Sequence, residues 1–225
     1  MQYSIGTGLI IQEFHGGCEC PLCEIKKTVE KRLADEFLSD AVMDDDMRAK
    51  VNKKGFCANH FDLLFVGKSK LGLALQNVTR LNTVNKYIVK PKNLKDAKNH
   101  AKKLTEATSS CIICDYIEES MVRYYKTIAM MYHNEDSFKQ TLKSLDGFCL
   151  NHYTQLINYA EYAKSSANDY INVLAEIQIA NMKRIQDELQ WFCDHHDYRN
   201  RSLPLGTSAD ALPRTRIKLY GKRNI

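Results

Sequence analysis

Six of the eight cysteines and two of the seven histidines fall into four short pairs: Cys20 and Cys23, Cys57 and His60, Cys111 and Cys114, Cys149 and His152. The two members of every pair stand three positions apart. Thiolate and imidazole are soft and borderline donors, and three sulfurs with one ring nitrogen make up a tetrahedral Cys3His zinc site. In chain order, Cys57 follows Cys23 after 33 residues and Cys149 follows Cys114 after 34. That order predicts one site from Cys20, Cys23, Cys57 and His60, and a second from Cys111, Cys114, Cys149 and His152. The chain would then carry two zinc ions as cofactors. All four positions of each site are filled by protein and none is left for water, so the expected role is structural rather than catalytic. An iron–sulfur cluster is the less favoured occupant, because Cys-x-x-His suits zinc better.

Such ligands need rigid supports, and the surrounding sequence supplies helices. After Cys23, apolar residues recur at Ile25, Val29, Leu33, Phe37 and Val42, which is helical spacing with charge on the opposite face. Pro21 suits the first turn of that helix, where no amide hydrogen is needed. Asp115, Glu118 and Glu119 place early negative charge on the equivalent helix after Cys114, which suits a helix N-terminus. Gly55 and Gly147 interrupt the chain just before Phe-Cys, so each Cys-x-x-His pair also opens a helix. Helix N-termini offer free amide hydrogens and partial positive charge, both of which favour thiolate. Leu71, Leu75, Val78, Leu81 and Ile88 mark one later helix. Tyr170, Val173, Leu174, Ile177, Met182, Ile185, Leu189 and Phe192 mark another.

The motifs repeat: GFCANH at 55–60 is answered by GFCLNH at 147–152, Glu24 by Asp115, and Leu64 by Leu156. The offset is 91 residues between Cys20 and Cys111 and 92 between Cys57 and Cys149. An internal duplication accounts for this. The predicted fold is an all-α helical bundle of two pseudo-repeated units, each with a CxxC…CxxH clip. Residues 1–90 form the first repeat, 91–110 a lysine-rich connector, 111–193 the second repeat, and 194–225 an extended tail docked on the helices.

Composition limits the function classes. A chain of 25.9 kDa with 44% hydrophobic residues can bury a substantial core. The start, MQYSIGTGLIIQEFH, does not resemble a signal peptide, and no window approaches the ~18 apolar residues of a membrane span. A cytoplasmic location with reduced thiols is therefore expected, which favours metal binding over disulfides. Cys18 in CECPLC is a spare thiol or an alternative ligand, the former preferred because Ser109 stands at the matching place in the second copy. Cys193 is expected to pack on an apolar helix face. Asp194, His195, His196 and Asp197 could form a further metal or acid–base site, but a polar helix end is the simpler reading.

CECPLC, NKKGFCANH, CIIC with DGFCLNH, and an ending of WF, DYRN and ALPR together resemble a bacterial domain-of-unknown-function family of cysteine-rich helical proteins. The resemblance covers almost the whole chain and implies the paired cysteine motifs, without implying a reaction.

Three functional readings differ in class. A zinc-binding scaffold with a protein partner is favoured. A thiol redox enzyme or a redox or metal sensor using the CxxC pairs is the alternative, although the strand and helix alternation of thioredoxin-like folds is missing. Lys86, Lys90, Lys92, Lys95, Lys98, Lys102 and Lys103 invite a polyanion or nucleic-acid reading. The net charge of only +5 and the scarcity of interleaved aromatic residues argue against it. No phosphate-binding loop or nucleophile elbow occurs, and the balance lies against an enzyme.

Overall fold

The structure is a computed structural model that describes residues 6–67 and 69–222. The first five residues, read above for a leader, Lys68, and the last three residues of the tail lie outside the described part. Among the described residues the chain is 79% helical and has no strand. Twelve α-helices follow one another: α1 (Gly8–Glu13), α2 (Pro21–Leu38), α3 (Asp40–Met43), α4 (Asp45–Lys54), α5 (Ala58–Val66), α6 (Lys70–Val84), α7 (Leu94–Thr108), α8 (Ile112–Asn134), α9 (Asp136–Lys143), α10 (Leu150–Asn158), α11 (Ala167–Asp194) and α12 (Ala211–Tyr220).

Local chemistry explains several of the helix starts. Pro21 is the first residue of α2. Asp44 accepts a hydrogen bond from the Met47 amide at the start of α4, whose first turn is acidic and last turn basic, as the helix dipole favours. Asn93 caps α7 by accepting from the Asp96 amide. Cys57 and Cys149 are the N-cap residues of α5 and α10, in extended conformation and with no side-chain capping bond. Their thiols are thus left free for other work.

The compact units are not the consecutive repeats expected above. One unit comprises Met1–Lys27 with Met121–Ile225, and the other Thr28–Ser120. The divisions fall inside α2 and α8, so a boundary search based on linkers could not have found them. Residues 91–110, expected to be a connector, are largely α7 and belong to the second of these units.

In the discontinuous unit, Phe14 packs on Phe138 and Phe148 with ring centroids 5.6 and 6.2 Å apart. Tyr132 lies 5.0 Å from Tyr170 and donates its hydroxyl hydrogen to Asp169 at 2.7 Å. Residues 194–225, expected to be extended, instead contain α12. Pro213 is tolerated there because it falls in the first turn. Helix α12 packs on α10 and α11. In the Thr28–Ser120 unit, Phe37 meets Phe56 and Tyr116 edge to face at 5.9 and 6.0 Å, over a core that includes Val29, Leu33, Val51 and Leu64.

Candidate metal centres

All eight paired ligands fall into two clusters, but not those that chain order predicts. One holds Cys20, Cys23, Cys149 and His152, and the other holds Cys57, His60, Cys111 and Cys114. Each Cys-x-x-Cys meets the Cys-x-x-His of the other half of the sequence. Helix length is the reason. From Cys23 to its end α2 rises about 22 Å, whereas α4 is about 15 Å long and does not return the chain to Cys23. The 23 residues of α8 outrun the 8 of α9 in the same way.

The distances are those of a tetrahedron. Nδ1 of His152 lies 3.3, 3.5 and 3.3 Å from the sulfurs of Cys20, Cys23 and Cys149, and the Cys23 and Cys149 sulfurs are 3.8 Å apart. Nδ1 of His60 lies 3.3 Å from each of Cys57, Cys111 and Cys114, with 3.9 Å between Cys57 and Cys114. A zinc ion with its usual bond lengths would set about 3.8 Å between sulfurs and about 3.5 Å between sulfur and nitrogen. Every ligand atom of a cluster lies within 4.8 Å of the others, which leaves room for one ion. The sulfurs are far outside disulfide distance, about 2.05 Å, and all the cysteines are free.

The electrostatics point the same way. Hydrogen bonds from Cys20 and Cys23, then from His152, hold the Cys149 thiol far below its ordinary range. Burial pushes Cys20 well above it, and the bond to Cys149 takes Cys23 to about 12. In the other cluster burial raises Cys111, but the bond from His60 and neighbouring amides outweigh it and bring it to about 6. Burial and then the charge on Cys111 push Cys114 up to about 12. In each cluster one thiol is thus favoured as thiolate at the expense of another, a conflict that a divalent cation resolves by replacing the shared protons.

Groups outside the tetrads orient them. The other ring nitrogen of His60 bonds Oε1 of Glu30 at 2.9 Å, fixing Nδ1 as the ligand atom. Burial opposes protonation of His60, but its bonds to Cys111 and Glu30 outweigh this and raise it to about 10. The backbone amide of Lys222 donates to Cys23 Sγ at 3.3 Å, and Lys222 Nζ pairs with Glu24 at 2.6 Å. Asp115, which answers Glu24 in the sequence, pairs with Lys54.

The polypeptide ahead of each pair is tied as well. Fully buried Lys218 bonds the carbonyls of Glu19 and Asp146, one just before Cys20 and the other just before Gly147. Its charge is answered by the Glu19 carboxylate at 3.0 Å, which Arg184 and Arg214 also reach. In the second cluster Ser110 Oγ donates to the Lys54 carbonyl and the Ile112 amide to that of Gly55. Gly55 and Gly147 have φ of +70° and +87°. A Cβ at Gly55 would come within 2.9 Å of Arg80 Nε, and one at Gly147 within 3.2 Å of Lys218 Nζ.

Glu30, Lys218 and Lys222 carried no local motif and were missed by sequence reasoning. The only signal was the Glu24 and Asp115 correspondence. Cys18 is not drawn into a tetrad, and burial raises its thiol. Cys193, expected to pack, is exposed. The residues near the end of α11 do not converge on a site. His195 and His196 donate to the Leu203 and Phe192 carbonyls, Asp194 accepts from Gln190, and Asp197 pairs with Arg199.

The clusters differ in exposure. All four ligands of the Cys20 cluster are buried, whereas Cys57 is half-buried and Cys114 exposed in the other. No described helix is long and apolar enough to cross a membrane.

A family model described as a family of unknown function (DUF6062) matches residues 1–224. The chain is similar to an uncharacterized 23.9 kDa protein in the xynA 3' region of Caldicellulosiruptor sp. (strain Rt8B.4). Identity is 22% over 184 residues, covering 80% of this chain and 84% of that protein. No solved structure matches.

Proposed function

The chain belongs to this family of unknown function, and from the two Cys3His groups it carries we propose that it is a zinc-binding helical scaffold with two structural sites. The observation that supports this most is the set of near-equal distances from one Nδ1 to three sulfurs in each cluster, 3.3 to 3.5 Å. Two ions per chain, a cytoplasmic setting that keeps thiols reduced, and a protein partner complete the proposal. Structural zinc contributes directly to folding, because the site does not exist in the unfolded chain.

Elemental analysis of protein purified without added metal, with circular dichroism before and after chelation, tests it. The expected result is two zinc ions per chain and loss of helix on chelation. A metal-free chain with intact helix and reactive thiols would sink the proposal in favour of redox chemistry.

The exposure of Cys114 supports a second reading, a thiol-stress sensor. Hydrogen peroxide would take two electrons from the Cys57 and Cys114 thiolates, join their sulfurs, and leave as two waters after taking up two protons. Release of one zinc of the two on mild peroxide treatment is the result that would favour it.

A further inference from the structure

The apolar residues that mark α6 as a helix point away from the core. Leu71, Leu75, Val78 and Leu81 expose 72%, 48%, 56% and 58% of their surface, and Ala74 is exposed beside them. The positions facing inward are Gly72, Leu73 and Gln76. At 3.6 residues per turn the five outward side chains fill a single band roughly 120° wide, the seam with which one helix packs on another. Phe65 on α5 continues the patch, with Lys70 Nζ 4.0 Å from its ring centre. An apolar surface this continuous marks an interaction site in a soluble protein.

We propose that this face is the interface of an antiparallel two-fold dimer, in which α6 of one copy packs on α6 of a second. The charges select the occupant and the direction. Helix α6 contains Lys70 and Arg80 and no acidic residue. Arg80 is turned inward, donating to the carbonyls of Asn52, Lys53 and Ala107. The seam therefore carries one cation, at the helix N-terminus, where its own dipole disfavours it. An antiparallel copy brings Lys70 to the C-terminal carbonyls of the facing helix, where a cation is favoured. A parallel copy would set Lys70 against Lys70. A two-fold axis near residue 76 also places Leu71 opposite Leu81 and the small Ala74 opposite Val78, so the surface complements itself.

Sedimentation velocity on the full-length chain as purified, over a concentration series, tests the proposal. The expected species has twice the chain mass. Leu75→Glu and Val78→Glu each weaken it by about a hundredfold or more, because two-fold symmetry introduces every substitution twice. Both sites are exposed, so far-UV circular dichroism stays unchanged. An equimolar mixture of Leu71→Glu and Leu81→Lys, whose altered positions face each other across the axis, recovers the dimer that each variant alone weakens. Leu212→Glu, an exposed apolar position of the other unit (58%), leaves it intact. A wild-type chain that remains monomeric at every concentration overturns the proposal, as does a dimer that survives both glutamates or is lost with Leu212→Glu. A monomer that cosediments with phosphatidylglycerol vesicles reassigns the face to a membrane surface.

Discussion

The backbone amide of Lys222 donates to Sγ of Cys23 at 3.3 Å, across 199 positions of sequence. It follows Gly221, whose φ of +79° turns the chain over the Cys20 cluster at the end of α12. Amide bonds to a metal thiolate spread its charge and hold the ion more tightly. Lys222→Pro, which removes the amide hydrogen, should speed zinc transfer from this cluster to a chelator by about tenfold. Lys222→Ala keeps the amide and loses only the ion pair with Glu24, so it should release zinc at close to the wild-type rate. Equal rates for the two variants would argue that the amide has no part.

The crossed pairing of ligands makes a stoichiometric prediction. Cys20→Ser with His152→Ala damages one cluster only and should leave one zinc per chain. Cys20→Ser with His60→Ala damages both and should leave none. Pairing by chain order would give the reverse, and elemental analysis of the two double variants decides between them.

Glu30 holds His60 from behind at 2.9 Å. Glu30→Gln should lower the zinc affinity of the Cys57 cluster by about 10- to 100-fold while leaving the Cys20 cluster unchanged. Competition with a chromophoric chelator would resolve the two sites as separate phases. A uniform loss at both would show that the substitution acts through general destabilisation.

Lys218 has no exposed surface, and it bonds two carbonyls and a carboxylate. Lys218→Met keeps its length but leaves the carbonyls of Glu19 and Asp146 without this donor. It should cost about 3 kcal/mol of stability, measured by denaturant unfolding of the zinc-loaded protein. A change below about 0.5 kcal/mol would mean that water replaces the ammonium.

The helical class and the four short Cys and His pairs were legible because each depends on neighbours a few residues away. Cys20 and Cys23 share one turn, and the apolar spacing of Tyr170, Val173, Leu174 and Ile177 follows a single helix. The choice of partner was not legible, since it depends on how far α2 and α8 carry the chain before α4 and α9 turn it back. Helix α12 was hidden by its shortness and by Pro213, which reads as a breaker until its place in the first turn is known. Lys218 carries no local mark of its burial, because nothing near it in sequence announces that Glu19 will lie beside it. Leu71, Leu75, Val78 and Leu81 carried the right periodicity for a helix but no mark of which side faces outward.

The two tetrads are nested along the chain, the ligands from Cys57 to Cys114 lying wholly between Cys23 and Cys149. During synthesis the inner tetrad is complete first. Cys20 and Cys23 must then wait for His152, a further 129 residues after Cys23, or roughly 6 to 26 seconds at ribosomal speeds of ~5–20 residues per second. For the last 38 of those residues, from Cys114 to His152, Cys20 and Cys23 still wait while every member of the inner tetrad has been made. The first Cys-x-x-Cys pair to be made therefore belongs to the last tetrad to close.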